Sequence, residues 1–395
     1  MRARTREHTR DDRRAHTRDS EARRATGAHF MPSAPLFAPP SANEPPCVVV
    51  DNGSGSIKIG FAGTEAPQHV LPTHGLEETG DRRPMERGAV CDWDAMEAYW
   101  DHAFTNMLNI DTEKVNVLIT ANMFDTKDNR ERMIHTLFET FACPNVYIVA
   151  PPVLELYAAG RENGVVVGSG AQCTYAVLVH EGLPDPRTLL RLDVAGEGLS
   201  AWAARTLSGK GGAPLDEQTA TRAKEQLGAA APPAGTHGVV PPPAAATFQL
   251  PDGKTLTVTP EQRAEIVEPL FTPALLDQPG AGLAQLVHDC IASRDRDGML
   301  QSTTNGQDGT ALWYASVVLA GGSTMFPGLR ERLRHDLKPL APAHAAPEVL
   351  ALPERKHAAW MGGSILGSLA VMQQMWVSKE EYDENGPLIV HRKCF

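Results

Sequence analysis

The chain reads as an α/β protein of two domains, and three observations predict this. It has 395 residues, 42% of them hydrophobic and 6% aromatic, long enough for two cores. Short apolar strands alternate with helical periodicities over most of its length. A strand, a Gly/Ser turn and a second strand occur twice, once near residue 50 and again near residue 168.

Taken in order, residues 1–45 are an Arg-rich half followed by a Pro/Ala/Ser half without sustained apolar periodicity, expected to be a disordered tail. Residues 1–30 hold nine Arg and no Lys against five acids; the acids speak against a transit peptide, and Met31 is an alternative initiator. Cys47 to Gly63 is the first hairpin, turning at Asp51-Asn-Gly-Ser-Gly. Trp93, Met96, Trp100, Phe104 and Met107 place one amphipathic helix over Asp92–Leu108, with Asp92 as N-cap. Val115–Thr120 reads as a strand, Asn129–Phe141 as a helix and Val146–Val149 as a strand. The second hairpin starts at Val165. Gly228 to Thr247 is nearly all Ala, Pro and Gly and reads as a flexible insertion, and a polar stretch follows at Gln301–Gly309. Ala315–Leu319 is a strand entering a Gly-Gly-Ser-Thr turn and a helix, a junction that lets backbone approach a ligand. A helix carrying Ile365, Leu369, Met372 and Trp376 precedes a capping box at Ser378 and Glu381.

The net charge is −11, and without the first thirty residues it is −15, so the body is acidic and nonspecific nucleic-acid binding is disfavoured. No run approaches the roughly 18 apolar residues of a membrane span, and no secretory signal is expected. Six scattered cysteines without a C-x-x-C pair fit a reducing compartment and no zinc site. Paired Gly-rich turns and a Gly-Gly-Ser-Thr helix entry suggest a nucleotide held between two domains, because small residues expose backbone N–H groups to phosphate. Each turn alone is weak: a lone Asp-Asn-Gly-Ser-Gly is more often just a hairpin, and Lys224 and Glu225 by themselves read as a solvated helix face.

Asp51-Asn-Gly-Ser-Gly, Gly60-Phe-Ala-Gly, Asn129-Arg-Glu-Arg-Met, Phe138-Glu-Thr-Phe, Leu250-Pro-Asp-Gly, Gly321-Gly-Ser-Thr-Met-Phe-Pro-Gly, Pro353-Glu-Arg-Lys, Trp360-Met-Gly-Gly-Ser-Ile-Leu and the final Ile389-Val-His-Arg-Lys-Cys-Phe resemble the signatures of the actin family. The resemblance spans about residues 47–395. It implies a two-domain actin-like ATPase fold of the ribonuclease H-like type, with residues 46–158 plus 359–395 as the small domain and 159–358 as the large one. It also implies ATP or ADP in the cleft with Mg or Ca. By resemblance Asp51 would hold the metal through water. Gly53, Ser54, Gly55, Ser169 and Gly170 would meet phosphates, and Lys58 would neutralise their charge. Lys224 and Glu225 match the pair that brackets adenosine and ribose. Gly321, Gly322 and Ser323 match the purine-side turn, and Phe326 and Lys356 match residues packing on the base.

The departures bear most on function. The family's second phosphate turn carries an Asp at its start, another two residues beyond the Gly, and then a His; this chain has Gly168, Ala171 and Tyr175. The family glutamine that orients the attacking water aligns with Pro151, which offers no side-chain hydrogen bond. No replacement acid is expected near that turn, since His180 and Glu181 read as surface residues after a strand. Nucleotide binding is therefore expected to be weakened and less dependent on metal, and hydrolysis lost. Pro67 reaches Trp93 in 26 steps, roughly half the family spacing, so the upper subdomains are expected to be reduced and ordinary filaments not to form. Tyr157-Ala-Ala-Gly, the Trp360 helix and the C-terminal region keep the family pattern, which implies actin or actin-binding proteins as partners through the lower face, with neither direct nucleic-acid nor membrane contact. The resulting expectation is a divergent cytoskeletal or scaffold protein of the cytoplasm. The alternatives are a subunit of a nuclear chromatin-remodelling complex, a still-active ATPase, and a decaying copy without function.

Overall fold

A computed structural model of the chain describes residues 44–208, 214–231, 244–295 and 309–394. The tail before residue 44, most of the Pro/Ala stretch, Gln301–Asp308 and Phe395 lie outside the described residues.

Two mixed sheets carry the fold, and both are built by the same rule. The first contains β1 (Cys47–Asn52), β2 (Ser56–Phe61), β3 (His69–Pro72), β6 (Asn116–Thr120), β7 (Asn145–Val149) and β16 (Val377–Ser378), in the order β16-β7-β6-β1-β2-β3. The small hairpin β4 (Met85–Glu86) and β5 (Ala89–Val90) stands apart from it. The second contains β8 (Gly164–Ser169), β9 (Thr174–His180), β10 (Leu183–Pro184), β11 (Leu190–Leu192), β14 (Val317–Ala320) and β15 (Val349–Ala351), in the order β10-β9-β8-β14-β15 with β11 on β9. Strands β12 (Ala246–Gln249) and β13 (Thr255–Val258) pair by themselves. In each large sheet an antiparallel hairpin, β1–β2 or β8–β9, extends into two parallel neighbours, β6–β7 or β14–β15. The repeat read in the sequence is thus a repeat of topology. The central strands Val48–Val50, Val117–Ile119 and Val165–Val167 are fully buried, which explains their unbroken apolar runs.

Between the sheets lie helices Pro151–Ala158 and Ala358–Gly367, packed on each other and each on one sheet. Their crossing is close because Gly362 lacks a side chain: a Cβ there would stand 1.8 Å from the Leu154 carbonyl oxygen. Trp360 fills the space beneath and donates from Nε1 to the Val49 carbonyl at 3.1 Å. In the first half, Trp93, Trp100, Phe104 and Phe141 form edge-to-face pairs at 5.3–6.3 Å.

Three expectations are corrected. The helix over Asp92–Leu108 is α-helical only at Trp93–Asp101, with Asp92 capping Ala95, and continues as a π-helical turn at His102–Met107. The helix carrying Ile365 to Trp376 is two, Ala358–Gly367 and Met372–Met375, because the chain turns at Ser368–Val371. The ends of the Pro/Ala stretch are not loose. Ala229 and Ala230 are buried and bonded to the Arg263 and Pro327 carbonyls, and Ala246 and Thr247 begin β12. The capping box at Ser378 and Glu381 is present.

Candidate functional site

The two hairpin turns face one another. In the first, β1 and β2 place Asp51 opposite Lys58, and their side chains form an ion pair at 3.1 Å, both largely buried. Asp51 also accepts from the Thr120 hydroxyl at 3.1 Å, and Asn52 is fixed by Thr120 and by Trp100 Nε1 at 3.1 Å. The core thus holds the start of the turn rigid. Gly53 is needed for its shape, since a Cβ would come within 2.8 Å of the Ser56 carbonyl oxygen. A Cβ on Gly55 would lie 2.7 Å from that of Ala171, so the turns meet at that point. Ser54 is engaged within the protein: its Oγ accepts the Gly88 N–H at 2.9 Å.

The second turn is held from the large-domain side. Ser323 Oγ donates to the Gly170 carbonyl at 2.7 Å, which also accepts the Gly196 amide, and Ala171 accepts from Glu197 N–H at 2.7 Å. Gly321, at φ 88°, brings the purine-side turn so close that a Cβ would be 2.3 Å from the Ser169 carbonyl oxygen. Gly322 borders Lys356. The Ser169 hydroxyl is buried and shares a 2.7 Å hydrogen bond with Thr174, so only its backbone remains for a ligand. Lys224 is also buried, donating to the Gly196 carbonyl at 2.9 Å and Ser200 Oγ at 3.0 Å, and burial lowers its pKa. That corrects the solvated-face reading for Lys224, whereas Glu225 is exposed. Phe326 is buried with its ring against Gly228. Asp51, Gly53, Ser54, Gly55, Lys58, Gly170, Gly321, Gly322 and Ser323 therefore line or build one convergence of Gly-rich turns, with Lys224 and Phe326 on its large-domain flank.

At the start of the second turn the space beside Gly168 is filled by Tyr175, its cross-strand partner. A Cβ on Gly168 would stand 2.3 Å from Tyr175 Cζ. The tyrosine hydroxyl donates to Glu155 Oε2 at 2.7 Å, and both residues are buried. Burial pushes the Glu155 carboxyl up to about 7, with the Asp51 carboxylate raising it further, while the Tyr175 hydrogen bond and Lys58 act the other way. Glu155 corrects the expectation that no acid stands near this turn. It comes from helix Pro151–Ala158, where Pro151 occupies the first position and offers no side-chain hydrogen bond. The sequence signal was a lone carboxylate between Leu154 and Leu156, both fully buried. His180 and Glu181 behave as expected, meeting Asn163 at the surface.

A histidine borders the first turn, near Lys58 and Lys356. His357 Nδ1 is buried without a hydrogen-bond partner among the described residues. Burial lowers its pKa, and Lys58 and Lys356 lower it further while Asp51 opposes them. The imidazole is therefore neutral near pH 7 beside the two lysines, and a bound anion would favour its protonated form. The donors do not suit a divalent cation: Asp51 is bound to Lys58, Gly168 and Ala171 supply nothing, and no group of three His, Cys, Asp or Glu is placed to hold a metal among the described residues.

The family described as Actin matches residues 74–214 and 213–395, more than half of the chain. The chain belongs to the actin family, and its two-domain α/β architecture is that of the family. The first hairpin, Cys47–Phe61, precedes the matched residues and joins the site through its contacts with Ala171, Thr120 and Gly88.

Proposed function

We propose that this chain is a divergent actin-family scaffold protein that holds ATP or ADP without a divalent ion, does not hydrolyse it and does not build ordinary two-stranded filaments. The observation that carries the reading is Tyr175, which fills the side-chain space at Gly168 and ties itself to Glu155. Where the family pattern has carboxylates and a histidine beside the γ-phosphate, this chain has a packed aromatic ring, and Pro151 cannot orient water. Groups that position water and take up its proton typically contribute about 10²–10⁴-fold each, not additively, so turnover is lost. Lys356 and Lys58, the latter shared with Asp51, supply the positive charge that phosphates need, and a bound nucleotide would still stabilise the two halves by mass action. Partners are proposed to be actin or actin-binding proteins in the cytoplasm, meeting the lower face, where Ile365, Val371 and Leu388 are exposed apolar residues. The test is phosphate release from ATP by the purified full chain, followed by pelleting under polymerising salt. No release above background and no pellet are expected; turnover at the rate of ordinary actin overturns the reading.

A further inference from the structure

The parallel strands β1, β6 and β7 begin at the same end of the first sheet, so the segments that lead into them lie together. Two of these lead-ins are the turn Thr112–Lys114 before β6 and Thr140–Phe141 before β7. Together with the helix Trp93–Asp101 and its π-helical continuation they enclose a cavity of about 480 Å³. Ala98, Ile110 and the buried Phe141 give it an apolar floor, and Glu97, Asp101 and Asp111 give it an acidic rim with no basic residue in the lining. Asp111 is paired with Lys114 at 2.7 Å. Glu97 and Asp101 meet only hydroxyls among the described residues, Thr136 at 3.4 Å and Thr105 at 3.2 Å. These two carboxylates stand one turn apart on one helix face, where like charges repel and a cation would remove the cost.

The third lead-in, before β1, joins residues 1–43 to the fold at this same end. Asn116 donates from its N–H to the Pro46 carbonyl at 2.9 Å and from Nδ2 to the Pro45 carbonyl at 3.3 Å. Asp111 on the cavity rim precedes Asn116 by five residues, which span at most about 18 Å. Residues 31–43 reach about 40 Å when extended, so residues 1–30 have ample length to return to the cavity. Those thirty residues hold nine Arg and no Lys against five acids, the opposite sign to the rim. Arg2, Arg4 and Arg6 alternate, and in an extended chain this spaces them by about 6.6 Å, close to the roughly 6 Å between Glu97 and Asp101 positions on a helix. We infer that this arginine-rich segment docks on the cavity as an intramolecular strap, its guanidinium groups on Glu97 and Asp101 and its alkyl stems over Ile110 and Phe141. Single exposed pairs are weak, so the contact depends on several made together and on the tether, which holds the segment at a local concentration of order millimolar. A partner that brings a basic segment to this face then has to displace the chain's own.

Trypsin tests this on the full chain, because it cuts after arginine. With a free peptide of residues 1–30 as the reference at each salt concentration, cleavage between Arg2 and Arg24 of the parent is expected to be about threefold slower than in the peptide, the segment being docked about two thirds of the time. Glu97→Gln/Asp101→Asn should bring the rate up to that of the peptide, and high salt should do the same to the parent, since exposed pairs are screened. Glu77→Gln/Glu78→Gln removes the same charge from exposed positions elsewhere and should leave the parental rate. The strap is overturned by a parental rate in Glu97→Gln/Asp101→Asn with parental circular dichroism, or by equal acceleration in both double variants, which would mean unspecific attraction. Protection that fades on dilution also overturns it, because the segment would then lie on a second copy.

Discussion

The two Gly-rich turns are built alike and have diverged in opposite ways. At the first, the side chains suited to a phosphate are retained, and the protein binds them itself: Asp51 to Lys58, Ser54 to Gly88. At the second, the side chains are gone and the space is filled, with Tyr175 over Gly168 and anchored on Glu155. One turn is engaged by polar contacts, the other filled by packing. The first turn keeps polar groups that a ligand could compete for, whereas the second offers a buried ring that nothing polar can replace.

The largest effect should come from forcing the second turn back toward the first. Gly168→Asp places a carboxylate where Tyr175 lies and next to buried Glu155, and overpacking of this kind costs about 1–3 kcal/mol before the charge is counted. We expect a clearly lowered melting temperature. Gly168→Asp/Tyr175→His, which vacates the space, should recover most of the loss; equal stability of parent and single variant would show that the ring does not fill that space.

A smaller effect probes the Tyr175–Glu155 bond through pH. The Glu155 carboxyl is raised to about 7 from 4.5 by burial, so between those values the unfolded chain has released a proton that the folded chain keeps. Stability attributable to this group accordingly falls as pH rises from about 4.5 to about 7, by at most ~1.4 kcal/mol per pH unit, and levels off above. Glu155→Gln removes that slope, so its stability relative to the parent should increase with pH. Tyr175→Phe deletes a donor that favours the carboxylate, so the decline should continue to higher pH. Urea unfolding at several pH values reads both variants, and parallel profiles for parent and Glu155→Gln would contradict the buried pair.

Much of the fold was legible because its signals are local. Unbroken runs such as Val48–Val50 and Val165–Val167, the Gly turns after them, and Asp92, Ser378 and Glu381 as caps each depend on neighbours in the chain. The replaced positions of the second turn were legible against the family pattern. What was not legible depends on distant partners. Glu155 gains its meaning from Tyr175, twenty residues away, and Arg83 from Glu197, 114 residues away. The hairpin at 85–90 has strands of two residues, too short for a period to show. The break after Gly367 leaves no mark in the sequence pattern, because the apolar spacing continues through Leu369 and Met372 while the backbone turns.

The comparison of the turns makes one claim above the others: the first turn and its basic neighbours hold a nucleotide, and no metal is needed because the second turn has no carboxylate to place one. Thermal stability of the full chain with ADP and with ATP, each in excess Mg and again in EDTA, tests it directly. The account predicts that each nucleotide raises the melting temperature and by the same amount with and without the metal. A rise that appears only with Mg, or no rise with either nucleotide, would contradict it.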